Sequence, residues 1–185
     1  MIVLAAPAAG SCAPRGPSDA LPRVQANDNR VPGGSLIRDT LAIRLVVKLA
    51  EWRPEADSGP PISVAAFAEE GRAPQIPAPL IRVRQGAMIA ATVRNALPDL
   101  TIGVIGLVTH PALRHDTVFI KPGETREVRF AAGMPGTYLH RAILGTHSRD
   151  DTLHEREQMA RAFVVEGADG STSDRVFVIN ICGEQ

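Results

Sequence analysis

The stretch from Leu41 to Leu49 constrains the fold of this chain more than any other. Every second residue in it is leucine, isoleucine or valine, and two of the four residues between them, Arg44 and Lys48, are charged. Successive side chains of a β-strand point to opposite faces, so this period of two predicts a strand with one buried face. Such a strand needs neighbouring strands and a second layer to cover it.

The rest of the chain predicts more short strands, separated by turns. Their predicted ranges are 63–69, 81–84, 88–95, 101–107, 117–121, 125–131, 136–143, 160–166 and 176–181. Gln85-Gly86 and Pro122-Gly123 are turn sequences, and the second suits a type II turn. Thr152, with Glu155 three places on, predicts one short helix that ends at Met159. Many short strands with almost no helix predict an all-β sandwich or barrel.

Composition excludes several function classes. The 185 residues suffice for one good core, and 20 basic residues balance 20 acidic ones, so no basic surface is available for nucleic acid. Aromatic residues, the platforms on which bases stack, make up only 4%. No apolar run approaches the roughly 20 residues of a transmembrane helix.

The two ends of the chain carry weaker signals. Residues 1–11 are apolar and then small, like the second half of a secretory signal peptide, and favour export to the periplasm or the cell exterior. Residues 13–35 hold many turn-forming residues, so we expect a flexible lead-in over 1–35 and order from Leu36. Cys12 and Cys182 lie far apart, and two unpaired thiols are expected, with a disulfide between them as the alternative.

Four motifs appear in an order and spacing that resemble the first, plastocyanin-like domain of a multicopper oxidase. They are PLIRVRQG at 79–86, VRNALPD at 93–99, IKPGET at 120–125, and a closing set formed by Phe130, GTY at 136–138 and AFVVE at 162–166. The resemblance covers roughly residues 36–181. It implies a cupredoxin-like Greek-key β-sandwich over 36–170, and makes 171–185 a C-terminal strand that would start a missing second domain.

The resemblance also implies copper, held in that family by two His-x-His pairs and used in an oxidoreductase that reduces oxygen. Imidazole suits copper, and residues two apart on a strand share a face. This chain departs from the pattern, because the four ligand positions hold Gly103, Ile105, Arg141 and Ile143. His140 is one residue early and is expected to point to the opposite face. Copper binding at the family positions is therefore not expected.

The remaining histidines leave an alternative open. His110, His115, His147 and His154 fall in predicted loops or the short helix, where solvated or hydrogen-bonded side chains are expected. A rearranged copper or zinc site would use His140, His147 and one of His110 or His115. His147 beside Asp150-Asp151 resembles a carboxylate-assisted base, but no nucleophile accompanies it.

Two other features predict structure rather than chemistry. Trp52 follows the long strand and is expected to anchor packing. Five arginines alternate with apolar residues and are expected on one solvated sheet face, paired with Glu124 and Glu127; they are Arg82, Arg84, Arg94, Arg126 and Arg129.

Three functions remain open. The first is a multicopper-oxidase-like domain that is catalytically incomplete alone and needs the remaining cupredoxin domains or a homo-oligomer as partners. The others are a metal-free binding or assembly module, and a small metal carrier. An exposed apolar patch around Val104, Ile105 and Ile143 would favour the partner-dependent domain, and three clustered imidazoles would favour the carrier.

Overall fold

Two β-sheets form the part of the chain that the structure, a computed structural model, describes: residues 20–109, 117–145, 159–167 and 175–178. Strands are numbered in chain order. Within these residues sheet 1 has seven strands, β1 (Gln25–Ala26), β2 (Ser35–Ile37), β3 (Thr40–Trp52), β4 (Ile62–Glu69), β5 (Pro74–Ile76), β7 (Met88–Asn95) and β10 (Thr125–Ala131). Sheet 2 has five, β6 (Ile81–Arg84), β8 (Ile102–Ile105), β9 (Val118–Ile120), β11 (Gly136–Leu144) and β12 (Ala160–Glu166). The all-β expectation is confirmed.

The two sheets run in the orders β1-β5-β4-β3-β7-β10 and β6-β12-β11-β8-β9, and β2 pairs with β3. One apolar core lies between them. Sheet 1 contributes alternate residues of β3, β4 and β7, and sheet 2 contributes alternate residues of β6, β8, β11 and β12. Leu41, Ile43, Leu45 and Val47 are all buried on this inner face, as the alternation predicts.

Both predicted turns form, but neither closes a hairpin. The amide of Ala87 donates to the carbonyl of Arg84 (3.1 Å), and the amide of Glu124 donates to that of Lys121 (3.0 Å). Gly123 has φ of 75°, as the third residue of a type II turn requires. Each turn passes the chain from sheet 2 to sheet 1 (β6 to β7, β9 to β10), so the turns join the layers of the sandwich.

Asn95, at the end of β7, ties these connections together. The side chain is fully buried; its Nδ2 donates to the carbonyls of Leu100 (2.8 Å) and Ile120 (2.9 Å), and its Oδ1 accepts from the amide of Leu97 (3.0 Å). Its backbone exchanges hydrogen bonds with Glu124 and Gly123 (2.9 Å each). Two of the motifs that carry the family resemblance therefore meet at one structural residue.

Residues 20–35 take part in the fold, so ordered structure begins earlier than the sequence predicts. Strand β1 pairs with β5, and the amide of Val24 donates to the carbonyl of Glu51 in β3 (2.8 Å). The segment thus joins two strands of sheet 1 and encloses a small second core. Trp52 packs there, as expected, together with other partly or fully buried residues: Val24, Ala50, Ile62, Val64, Ala66 and Ile76.

The expectation of one arginine face is wrong. Arg82 and Arg84 lie in sheet 2, whereas Arg94, Arg126 and Arg129 lie in sheet 1, because the turns between them change sheets. Arg82 pairs with Glu166 at 2.9 Å. The two predicted acidic partners do form ion pairs at 2.6 Å, Glu124 with Arg126 and Glu127 with Arg129.

Other predictions fall wholly or partly outside the described residues. These are the short helix apart from Met159, both cysteines, His154, Asp150-Asp151 and residues 179–181 of the last predicted strand. The described part of that strand, residues 175–178, forms no strand in the structure. Within the described residues there is no helix long and apolar enough to cross a membrane.

Candidate functional site: the family ligand positions and a buried arginine–histidine pair

The four positions at which the family resemblance implies histidines lie together on the outer face of sheet 2. Strands β8 and β11 are antiparallel, and their register places Ile105 opposite Arg141 and Gly103 opposite Ile143. The residues between them, Val104 and Ala142, point into the core. The i, i+2 spacing therefore builds two cross-strand pairs on one face, the arrangement from which four side chains could converge.

The side chains at these positions do not fit copper. Gly103 offers no side-chain donor, Ile105 and Ile143 are aliphatic, and Arg141 carries a guanidinium that is cationic and only donates hydrogen bonds. The space above Gly103 is also filled. A Cβ there would lie 3.0 Å from Cγ1 of Ile143 and 3.1 Å from both Cε1 of Phe119 and Cγ2 of Thr117. The four positions are thus occupied by a glycine, two isoleucines and an arginine, and apolar groups fill the space beside Gly103.

This outer-face cluster is not the exposed patch that a partner-dependent domain was expected to show. Ile105 and Ile143 are only 6% and 7% exposed, and Val104 is buried in the core. Two neighbours on the same sheet are exposed: Phe119 (47%) and Leu139 (54%). The apolar surface available at this site is therefore limited to its rim.

His140 points the opposite way, into the core, as the strand alternation predicts. Its ring is fully buried and faces Arg161 of β12, the residue directly opposite in the register. Nε of Arg161 donates to Nδ1 of His140 at 2.7 Å, and Nη2 lies 3.1 Å from Nε2. Both contacts are made by guanidinium N–H donors, so at least one ring nitrogen must accept, and this geometry requires a neutral imidazole.

Arg161 is also fully buried, with little compensation for its charge. Its guanidinium lies 5.0 Å from the ring centroid of Phe67, a cation–π contact, and its Nη1 has no hydrogen-bond partner among the described residues. Burial lowers the pKa of Arg161 to about 9, and the nearby Glu69 carboxylate opposes this shift. A guanidinium with one acceptor and an aromatic face is an expensive group to keep in a core.

The same surroundings act on the histidine. Burial, and then the positive charge of Arg161, hold the pKa of His140 well below its usual range. The ring is therefore a hydrogen-bond acceptor for Arg161 at neutral pH. A ring committed in this way is poorly placed to bind a metal.

Sequence reasoning missed Arg161. The strand Ala160–Glu166 was predicted, and the alternation of Arg161 with Phe163 and Val165 was a signal that the arginine points inward. Its cross-strand position opposite His140 was not readable from the sequence.

The rearranged metal site stays a prediction, because His110, His115 and His147 lie outside the described residues. Within the described ranges no three or more His, Cys, Asp or Glu side chains gather in a way that could hold a metal ion. His140 is thus the one member of the predicted set whose surroundings are known.

Known proteins resemble this chain in structure and not closely in sequence. No family model and no curated protein sequence matches it. A multicopper oxidase from Campylobacter jejuni, described as a metallo-oxidase, is 23% identical with a TM-score of 0.50, over 80% of this chain and 31% of that one. A variant of the multicopper oxidase McoA from Aquifex aeolicus is 21% identical with a TM-score of 0.51, over 80% and 30%.

A copper nitrite reductase from Nitrosomonas europaea is similar as well, at 20% identity and a TM-score of 0.50, over 70% of this chain and 42% of that one. The chain thus spans less than half the length of each of these proteins. Identities this low establish the fold rather than the activity. The described residues form a cupredoxin-like domain of the kind found in multicopper oxidases and copper nitrite reductase.

Proposed function

We propose that this chain is a multicopper-oxidase-like domain that holds no copper at the positions where the family resemblance implies ligands and is catalytically incomplete alone. The observation that supports this most is the content of the two cross-strand pairs on sheet 2: glycine, two isoleucines and an arginine, with Phe119 and Thr117 filling the space beside Gly103. None of these groups is a copper ligand. Oxidase activity, if the ancestral domain had it, would require a partner chain that supplies the ligands.

The backbone supports this interpretation more strongly than the missing histidines alone. The register of β8 and β11 still brings the four positions face to face, so the fold has kept the scaffold while the side chains changed. Export to the periplasm or the cell exterior, expected from residues 1–11, belongs to the same proposal.

The test is copper content after loading and desalting, measured by elemental analysis of the full chain. The wild type is compared with two variants. Ile105→His/Arg141→His places two imidazoles directly across the two strands, close enough to share one ion. His110→Ala/His115→Ala/His147→Ala removes the loop histidines of the alternative site and leaves the core untouched at His140.

We expect substoichiometric copper in the wild type and in the triple alanine variant, and retained copper in the double histidine variant. Copper retained by that variant would show that the assay detects a bound ion and that the wild type lacks only copper-binding side chains at these positions. Stoichiometric copper in the wild type, lost in the triple alanine variant, would overturn the proposal in favour of a metal carrier.

A further inference from the structure

Strand β10 forms a long open edge of sheet 1. It is last in the strand order, and within the described residues no strand pairs with its far side. Its seven residues pair with β7 one for one, so no bulge interrupts the strand, and it contains no proline, glycine or lysine. The strands at the other ends of the two sheets, β1, β6 and β9, have only two, four and three residues. Apart from charge, β10 therefore lacks the features that usually keep an edge from pairing with another chain.

The hydrogen bonds at the two ends of β10 show which of its backbone groups face the open edge. The amide of Ala132 donates to the carbonyl of Ala87 (2.8 Å), and the carbonyl of Glu124 accepts from the amide of Asn95 (2.9 Å). Backbone groups of successive residues point to opposite edges of a strand, so the even-numbered residues of β10 face β7. The groups that face the open edge are therefore the amides and carbonyls of the odd-numbered residues: Thr125, Glu127, Arg129 and Ala131.

The side chains of β10 alternate between the core and the outer face of sheet 1. Val128 and Phe130 pack against the core, so Glu127 and Arg129 lie on the outer face. Nε of Arg129 lies 2.6 Å from Oε1 of Glu127, and these side chains are 68% and 49% exposed. Two opposite charges thus lie on the same face of the open edge, one on each side of Val128.

An antiparallel pairing of two copies of β10, centred on Val128, matches both the backbone groups and the charges. It places Glu127 of each copy opposite Arg129 of the other. These odd-numbered residues then form hydrogen-bonded pairs, because their amides and carbonyls face the open edge. Opposite charges directly across two strands stabilise a sheet, whereas like charges destabilise it. A pairing centred one residue earlier or later would bring two glutamates or two arginines together.

We propose that two copies of this chain associate through β10, in the antiparallel register centred on Val128, and so join their two copies of sheet 1. A second copy is the partner that fits this edge, because its charges meet those of β10, whereas an unrelated strand would leave them unmatched. Main-chain hydrogen bonds supply the attraction, and the charges set the register. The interface is one strand wide, so association is weak and depends on protein concentration. This inference goes beyond the proposed function, which names no partner surface.

Sedimentation equilibrium of the full chain over a range of concentrations measures the association. Glu127→Arg and Arg129→Glu each place like charges across the two-fold axis, so we expect each to weaken dimerisation at least about tenfold. An equimolar mixture of the two variants should dimerise again, because the arginines of one chain then face the glutamates of the other. Asp57→Arg and Arg23→Glu are matched controls, because they reverse charges of an exposed 2.6 Å ion pair outside the strands. Both should dimerise like the wild type.

Amide hydrogen exchange of the wild type tests the register without any substitution. The amides of Glu127 and Arg129 should become protected as the protein concentration rises, whereas those of Val128 and Phe130, which face β7, should be protected throughout. Circular dichroism checks that each variant is folded.

Several results would overturn the proposal: a wild type that stays monomeric, single variants that dimerise equally well, a mixture that fails to associate, or dimerisation that leaves the outward amides unprotected. Strand β10 shares no residue with the positions where the resemblance implies copper ligands, so failure here is distinguishable from failure of the copper test.

Discussion

The two faces of strand β11 carry side-chain types that are the reverse of those expected. The outer face, where the family resemblance implies histidines, carries Arg141 and a buried Ile143; the inner face, where a sandwich normally places apolar groups, carries His140. The outward positions pack with Gly103 and Ile105, and the inward histidine holds a buried arginine. The role of a histidine in this fold therefore depends on the strand face on which it lies. A shift of one residue moves the side chain from the outer surface to the core.

The largest expected effect comes from breaking the inward pair. His140→Ala leaves the Arg161 guanidinium without its acceptor and opens a cavity, so we expect the free energy of unfolding to fall by about 3–5 kcal/mol. Urea denaturation measures this. His140→Leu/Arg161→Met removes both polar groups at similar volume and should be as stable as the wild type or more so. A loss below about 1 kcal/mol for His140→Ala would mean that the pair does not couple.

The pH dependence of stability tests whether His140, on the inner face of β11, is held neutral in the folded protein. The pKa of His140 is lowered in the folded protein, so the unfolded chain binds a proton below about pH 6.5 that the folded chain refuses. Stability is therefore complete above that pH and falls as the pH drops, by about 1.4 kcal/mol per unit until the folded-state pKa is reached. Urea denaturation at pH 7.5 and 5.5 should show this slope in the wild type. The slope should be reduced in His140→Leu/Arg161→Met, and equal slopes in the two proteins would place the titrating group elsewhere.

The smallest effect tests the outward face. Gly103→Ala brings a Cβ within 3.1 Å of three side chains, so we expect a loss of about 1–2 kcal/mol from overpacking. Gly167→Ala is the matched control, because its Cβ meets only Pro135, at 3.6 Å. Thermal unfolding of the two variants measures the difference. An unchanged midpoint for Gly103→Ala would show that this face has room for a side chain at a ligand position.

Local alternation made most strands predictable. It could not predict which strands pair with each other, and this pairing decides the sheet to which each strand belongs. The strand from Leu41 to Leu49 and the inward direction of His140 follow from a period of two. The prediction of a single arginine face was wrong because the turns after Arg84 and Lys121 lead into the other sheet. A turn sequence predicts that the chain bends, but not which sheet the next strand joins. In the sequence, Asn95 is only one residue of a motif. The structure shows that its side chain forms hydrogen bonds with three backbone groups.

The site was predictable in position and not in its surroundings. The i, i+2 spacing places Gly103 with Ile105, and Arg141 with Ile143, on a common strand face, and the register then brings the two pairs opposite each other. Arg161 was missed because a buried charge runs against the usual composition of a core, and its tolerance depends on His140 and Phe67 from two other strands.

The hydrogen bond from Asn29 to Val176 joins residues 147 positions apart in the chain. The first and last described segments of the domain therefore meet at one corner of the sandwich. Closing so long a stretch of chain costs conformational entropy, so this contact can form only after the strands between the two residues have paired.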